Sequence, residues 1–190
     1  MHKLGDATGV VIDAVASFVA DLPEEQFAAL ADAIADADRV FVHGAGRSGL
    51  IAEAFAMRLV HLGLEAHVVG AATTPAIGDE DLLICLSGSG TTQSVLTVAT
   101  TATELGASVY CLTRRPDSAL ATLADGCVEL PGADDSRADV AGKPDGHSHP
   151  PLGTMFEDAA LLVLDGFVVE LMDRLGESEA SMADRHANLE

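Results

Sequence analysis

One stretch of the sequence constrains the fold more than any other: an apolar run over residues 83–86 stops abruptly at six small residues. These are Ser87, Gly88, Ser89, Gly90, Thr91 and Thr92, and the sequence from Gln93 onward can begin a helix. A buried strand requires the apolar run, and a tight turn requires the glycines. Hydroxyl groups and backbone N–H groups then converge at the positive end of a helix, which favours an anion such as phosphate. The alternative is a capped turn between a strand and a helix that binds nothing.

A second glycine-rich turn, Gly44-Ala45-Gly46-Arg47-Ser48-Gly49, follows a short predicted strand over residues 39–43. Its spacing matches the dinucleotide-binding pattern, but the next predicted strand ends at Val69-Gly70-Ala71-Ala72 and lacks the acidic residue that would bind a ribose. We therefore expect a smaller anionic ligand, with Arg47 supplying positive charge and Ser48 a hydroxyl group. The alternative is a surface arginine beside a structural turn.

Strands and helices alternate along the chain, which predicts parallel β-α-β units with helices on both faces of one sheet. The predicted strands cover residues 39–43, 66–69, 81–86, 108–112 and 127–130. The predicted helices cover residues 7–20, a segment beginning at Pro23, and residues 50–62, 92–105, 116–123 and 153–175. In a sheet ordered 2-1-3-4-5, the two glycine-rich loops follow neighbouring strands, so both face the crevice where ligands bind in such folds.

We expect residues 1–190 to form a single domain. Its predicted parts are N-terminal helices (1–37), an α/β core (38–130), an acidic loop (131–151) and a C-terminal helix with a tail (152–190). The three cysteines, Cys85, Cys111 and Cys127, lie in or beside apolar runs. We expect them to be reduced core residues of a cytoplasmic protein rather than disulfides or zinc ligands.

Charge and hydropathy narrow the possible partners. The net charge is −20, and lysine occurs only at Lys3 and Lys143, which argues against nucleic acid and anionic membranes as partners. No apolar run is long enough to span a membrane, and no signal peptide is expected. Because the acidic residues are scattered, we interpret the chain as adapted to a very salty cytoplasm. The alternative is an ordinary acidic cytosolic protein.

Glu157 is the best candidate for a catalytic base. It lies in the first turns of the last predicted helix, and its face continues through the apolar residues Leu161, Leu164 and Val168. Burial raises the pKa of such a carboxyl group whereas a helix N-terminus lowers it, and the sequence leaves that balance open. The alternative is an ordinary first-turn glutamate, a description that also fits its neighbour Asp158.

The histidines are weaker candidates when spacing alone is considered. His61 is typical of a core or interface residue, and His186, among the last five residues, is typical of a frayed terminus. His147 and His149 in the predicted acidic loop could bind a metal, but histidines in a polar loop are more often solvated. Spacing therefore assigns a function to none of them.

Several segments together resemble a known family. The loop from Ser87 to Thr92 resembles the phosphosugar-binding loop of sugar isomerase (SIS) domains. Further segments resemble one branch of that family, the 6-phospho-3-hexuloisomerases. They are residues 42–49, 54–59, 61–63, 74–77 and 151–157, and the ending Arg185-His186-Ala187-Asn188-Leu189-Glu190. The resemblance spans most of residues 40–190.

The resemblance implies a flavodoxin-like, three-layer α/β/α fold with a five-stranded parallel sheet, and a homotetramer. It implies interconversion of D-arabino-hex-3-ulose 6-phosphate and D-fructose 6-phosphate through an enediolate, without a metal or an organic cofactor. This reaction belongs to the ribulose monophosphate pathway, and a 3-hexulose-6-phosphate synthase is the implied partner. Two features depart from the pattern: Thr91 stands where many relatives have glutamate, and the loop over residues 131–150 is longer and more acidic than expected.

The resemblance also implies roles for individual residues. The phosphate-binding positions are Ser48, Ser87, Ser89 and Thr92, within a binding loop that includes Gly88, Gly90 and Thr91. Arg47 falls on a substrate contact and Glu157 on the base. His186 falls on a tail histidine that can reach a neighbouring subunit's site.

Three other functions remain compatible with the sequence. One is an SIS isomerase that acts on an aldose phosphate. Another is a sugar-phosphate sensor that binds without turnover, although a sensor is expected to carry an additional domain and would not need Glu157. The third is a nicotinamide-dependent oxidoreductase, which the missing acidic residue after the second strand disfavours.

Overall fold

Five parallel strands form one sheet in the computed structural model, which describes residues 4–19, 22–130 and 154–188. Within these residues the strands are β1 (Val40–Gly44), β2 (Ala66–Val68), β3 (Leu82–Leu86), β4 (Ser108–Thr113) and β5 (Gly126–Glu129). Their order in the sheet is β2-β1-β3-β4-β5, and every neighbouring pair is parallel. This confirms the predicted order and places β1 directly beside β3.

Helices cover both faces of this sheet. They are α1 (Leu4–Val19), α2 (Glu24–Asp36), α3 (Arg47–His61), α4 (Gln93–Glu104), α5 (Ala119–Leu123), α6 (Thr154–Leu175) and α7 (Glu179–Asp184). Buried residues of α1, α2, α3 and α6 share one core cluster, and those of α4 and α5 share the other. The three-layer α/β/α architecture is therefore confirmed.

The two cores follow from the alternation of side chains along the strands. Val40 and Val42 of β1 belong to one cluster, and Phe41 between them belongs to the other, as expected when successive side chains point to opposite faces. All five residues of β3 are buried. A parallel strand covered on both faces requires such a continuous apolar run.

Some boundaries differ from the prediction. Helix α3 begins at Arg47 rather than at Leu50, because Gly46 at the N-cap adopts a positive φ of 61° and turns the chain straight into the helix. Helix α5 begins later than predicted. The predicted tail contains the short helix α7, whose start is stabilised by reciprocal hydrogen bonds between Ser178 and Ser181.

Other predictions can be compared with the described residues only. Cys85 and Cys111 are buried, Cys127 is partly buried, and all three are free. In the described ranges, no helix combines the length and the apolar character needed to cross a bilayer, and no group of three or more His, Cys, Asp and Glu side chains is placed to hold a metal ion. The predicted loop over 131–151, with His147 and His149, lies outside the described residues.

Candidate active site

The two glycine-rich loops meet at the carboxyl edge of the sheet. In the register of β1 and β3, Gly44 is paired with Leu86, so the loops that follow these residues lie side by side. Between them and the start of α6 is a cavity of about 190 Å³. Its lining residues are Ala45, Ser48, Leu86, Ser87, Gly88, Ser89, Thr92, Arg114, Phe156 and Glu157. The expected crevice is therefore present.

Close backbone packing shapes the first loop. A Cβ atom on Gly44 would lie 2.8 Å from the backbone nitrogen of Gly49, and a Cβ on Gly49 would lie 2.8 Å from the Gly44 oxygen. Because such contacts are too short for a side chain, both positions require glycine, and the first turn of α3 lies directly against the end of β1. This brings Ser48, which is 7% exposed, into the cavity wall at the positive end of α3.

The second loop presents hydroxyl groups beside the N-terminus of α4. Ser87 is buried, and its Oγ lies 3.1 Å from Oγ1 of Thr92, the residue before α4. Ser89 lies on the rim and is exposed. These three residues line the cavity together with Gly88. Neutral donors at a helix N-terminus are suited to a phosphate group.

Two residues of this loop shape it without lining the cavity. Gly90 is buried with a φ of 62°, a left-handed conformation that favours glycine. Thr91 is exposed, and both its backbone N–H and its hydroxyl lie 3.3 Å from Oγ of Ser89. The cavity wall thus contains four of the six loop residues proposed from the sequence.

Glu157 lies in the first turn of α6 and lines the same cavity as the hydroxyl groups. Its side chain is 14% exposed, and its Oε2 atom is buried without a hydrogen-bond partner among the described residues. Burial raises the pKa of this carboxyl group above its usual value, although the positive charge of Arg47 lowers it in part. Burial therefore dominates the balance that the sequence leaves open, and a carboxylate of raised pKa is a suitable general base.

Arg47 is held against the start of α6 rather than in the cavity wall. Its Nη2 atom donates to Oδ1 of Asp158 at 2.6 Å, and its Nη1 atom donates to Oγ1 of Thr154 at 3.0 Å. The same Nη1 lies 3.9 Å from Oε2 of Glu157. Asp158 thus fixes a guanidinium group beside the candidate base, a role that the sequence analysis did not assign to it.

The structure does not bring His186 to this cavity within one chain. The His186 ring stacks on His61 with centroids 5.0 Å apart, and the neighbouring Arg185 donates to the His61 carbonyl oxygen at 3.0 Å. His61 is the last residue of α3, whereas Arg47 is the first, a separation of about 20 Å along the helix axis. Burial is the largest of the effects that lower the pKa of His61, and the nearby His186 and Arg58 add to it.

Two lining residues, Arg114 and Phe156, were missed in the sequence analysis. Phe156 packs under the second loop, where a Cβ on Gly88 would lie 3.0 Å from Cδ1 of its ring. Arg114 follows β4 directly, and its Nε donates to the Gly88 carbonyl oxygen at 3.3 Å. The signal available for Arg114 was its place after a strand that neighbours β3, since strand ends meet at one edge.

Known proteins are similar to this chain along most of its length. The model of the SIS domain matches residues 33–142. A protein of Mycobacterium gastri named 3-hexulose-6-phosphate isomerase is 44% identical, over 95% of this chain and 88% of that protein. A protein of Bacillus subtilis with the same name is 37% identical, over 99% of this chain and 100% of that protein.

A solved structure extends the comparison to three dimensions. A hypothetical protein of Methanococcus jannaschii, for which a molecular function of 3-hexulose-6-phosphate isomerase has been inferred, is 34% identical to this chain. The TM-score is 0.79, and the alignment covers 98% of both chains.

Proposed function

The chain belongs to the SIS-domain family, and we propose that it is a 3-hexulose-6-phosphate isomerase that interconverts D-arabino-hex-3-ulose 6-phosphate and D-fructose 6-phosphate. Relatives with that name match almost the whole chain at 37% and 44% identity. The observation that carries the proposal is the Glu157 carboxylate, whose Oε2 atom is buried, in the wall of the same small cavity as a loop of hydroxyl donors. This arrangement offers a base and a phosphate site in the same place.

The reaction moves a carbonyl group from C3 to C2 of the sugar. Glu157 removes the proton from C2, the electrons of that C–H bond form the C2–C3 double bond of an enediolate, and the developing negative charge falls on O3. The proton is then returned to C3, the carbonyl group forms at C2, and the proton of the C2 hydroxyl passes to O3. One carboxylate can perform both transfers, and no step requires a metal or an organic cofactor.

The other residues of the site either bind the phosphate group or stabilise the charge of the enediolate. Ser48, Ser87, Ser89 and Thr92 bind the phosphate group, which fixes the reacting carbons near Glu157 and supplies binding energy remote from the reaction. We assign to Arg47, whose Nη1 lies 3.9 Å from Oε2 of Glu157, the stabilisation of the enediolate oxygen. Gly88, Gly90 and Thr91 complete the loop.

His186 takes part only if it is supplied by another copy of the chain, since within one chain it lies on the far end of α3. We therefore place it in a neighbouring subunit's site within a homotetramer. Exposed apolar residues on α6, Leu161, Leu162 and Val169, support an interface between copies, because groups of this kind are stabilised when they are covered.

The cellular setting follows from the same proposal. We place the enzyme in the cytoplasm as a single-domain protein of the ribulose monophosphate pathway, with a 3-hexulose-6-phosphate synthase as partner and without nucleic acid or membrane contacts. The net charge of −20 supports adaptation to high salt, since salt screens repulsion between the acidic groups. Molar KCl should then raise the melting temperature.

The decisive experiment supplies hexulose 6-phosphate in molar KCl and follows fructose 6-phosphate by NMR. We expect turnover that survives chelation of metals, and a loss of about 10²- to 10⁴-fold in kcat for Glu157→Gln with the affinity for fructose 6-phosphate nearly unchanged. Glu170→Gln is the control, because Glu170 lies on the same helix, is exposed and contacts Arg174.

Two results would contradict the proposed reaction or the role of Glu157. A folded wild-type protein that binds fructose 6-phosphate without turning over the hexulose would point to a sensor or to an isomerase of another phosphosugar. Full activity of Glu157→Gln would remove Glu157 from the mechanism.

A further inference from the structure

The cavity wall contains one arginine, Arg114, that has no role so far in the proposed function. Arg114 leaves the end of β4 and enters the wall beside Gly88. Its backbone N–H and its Nε both donate to the Gly88 carbonyl oxygen, each at 3.3 Å. These hydrogen bonds hold the guanidinium group against Gly88, which lies between Ser87 and Ser89 in the second loop.

The charge of the expected ligand makes this position significant. A sugar phosphate carries a charge of about −1.5 to −2 at pH 7. The loop residues Ser87, Ser89 and Thr92 offer neutral donors only, and Arg47 does not line the cavity. Among the described residues that line the cavity, Arg114 is the one with a positive charge.

We propose that Arg114 binds the phosphate group of the substrate and makes the site selective for the dianion. A guanidinium group presents a planar fork of N–H donors that matches the oxygen atoms of a phosphate. The hydrogen bond to Gly88 fixes the fork at the loop where the phosphate binds. The inference rests on the proposed function, which supplies the phosphosugar.

Arg114 also acts on Glu157 through its charge. Its positive charge lowers the pKa of the Glu157 carboxyl group, against the larger opposing effect of burial. Both residues line the same small cavity, one at the end of β4 and one at the start of α6. A ligand between them has its phosphate group on the arginine side and its reacting carbons on the carboxylate side.

The test measures binding rather than turnover. Inorganic phosphate and fructose 6-phosphate are titrated into wild type, Arg114→Gln and Arg114→Lys by calorimetry at pH 7. Arg115→Gln is the matched control, because it removes the same charge from the next residue, which is exposed, pairs with Asp117 and does not line the cavity. We expect both ligands to bind about ten- to a hundredfold more weakly to Arg114→Gln, with partial recovery in Arg114→Lys.

A second measurement separates phosphate binding from a purely structural role. The second pKa of a phosphate monoester is about 6, so the wild type should bind fructose 6-phosphate more tightly at pH 7 than at pH 5. Arg114→Gln should lose most of that preference, and KM should rise while kcat stays within a few-fold. Loss of loop structure alone would weaken binding equally at both pH values.

Unchanged affinity for inorganic phosphate in Arg114→Gln would overturn the inference, as would a fall in kcat with unchanged phosphate affinity. If the glutamine variant does not fold, the lysine variant and its pH dependence carry the same test. If the wild type binds phosphate in an Arg114-dependent manner but does not turn over hexulose 6-phosphate, the isomerase proposal fails and the assignment of Arg114 stands.

Discussion

Replacing Arg47 with glutamine should raise the pKa of Glu157. The guanidinium Nη1 lies 3.9 Å from Oε2 of Glu157, and its positive charge favours the ionised carboxylate. Burial acts in the opposite direction and already raises the pKa above its usual value. Removing the charge leaves burial less opposed, so the pKa moves further upward.

The magnitude follows from the distance and the exposure of the two side chains. Two unit charges 3.9 Å apart interact by about 1 kcal/mol in water and by about 4 kcal/mol at an effective dielectric constant near 20. The Arg47 side chain is 49% exposed, whereas that of Glu157 is 14% exposed, so solvent screens the pair and the lower value applies. The substitution should therefore remove about 1 kcal/mol of stabilisation from the ionised form of Glu157, and its pKa should rise.

The assay is a titration of ¹³C-labelled glutamate side chains by NMR in the free protein, with the Glu157 signal assigned from its loss in Glu157→Gln. Arg58→Gln is the control, because Arg58 lies further along α3, pairs with Asp165 at 3.5 Å and leaves the cavity intact. Asp158→Asn should shift the pKa of Glu157 downward, because the negative charge of Asp158 raises it.

A pKa of Glu157 that stays constant or falls in Arg47→Gln would refute this electrostatic account.

The raised pKa of Glu157 also affects the pH dependence of stability. A carboxyl group with a higher pKa in the folded state stabilises the fold most below its unfolded pKa, and this contribution is lost as the pH rises through the folded value. Glu157→Gln should therefore raise the melting temperature at pH 7, and a lower one would contradict the assigned burial cost.

Two predictions concern the scaffold of the site. Gly90→Ala should lower the free energy of unfolding by about 2–4 kcal/mol in urea titrations, because φ is 62° and the new Cβ would lie 2.0 Å from Oγ of Ser118. Gly70→Ala should lower the free energy of unfolding by only about 1 kcal/mol, because φ is 97° but no atom lies within 4 Å of the new Cβ. If the two substitutions lowered the free energy of unfolding equally, the steric argument for Gly90 would be wrong. Asp81→Asn should cost about 2–3 kcal/mol at pH 7, because buried Asp81 accepts hydrogen bonds from Arg39 at 2.9 and 2.7 Å. Burial alone would raise the pKa of Asp81, but its hydrogen bonds lower it below the usual value. The wild type should therefore lose the stability that ionised Asp81 contributes as the pH falls through this lowered pKa. If Asp81→Asn lost stability in acid to the same extent as the wild type, Asp81 would not be the group responsible.

Much of the fold could be predicted because its signals are local. The apolar run of β3, residues 82–86, and the glycines on either side of Arg47 each specify an element from a few neighbouring residues. Once parallel strands were expected, the order of the sheet placed both loops at one edge, and the structure confirms that order. Glu157 could be selected because it heads an apolar helical stripe.

The remaining features depend on contacts between distant segments. Asp158 fixes Arg47 across 111 positions of the sequence, and Arg114 contacts Gly88 across 26. Periodicity and spacing cannot predict such pairs, because neither residue of a pair is unusual within its own helix, strand or loop. The same reason applies to His186, whose stacking on His61 joins the tail to the end of α3.

The acidity of the whole chain makes the local charges of the site decisive. With a net charge of −20, the surface repels an anionic substrate, but physiological salt limits that repulsion to about 8–10 Å. Beside the cavity, the two carboxylates of Glu157 and Asp158 lie 3.9 and 2.6 Å from Arg47 and outnumber its single positive charge. The N-termini of α3 and α4 and the Arg114 side chain therefore supply positive potential where we propose that the phosphate binds, so the loss of this arginine should weaken phosphate binding.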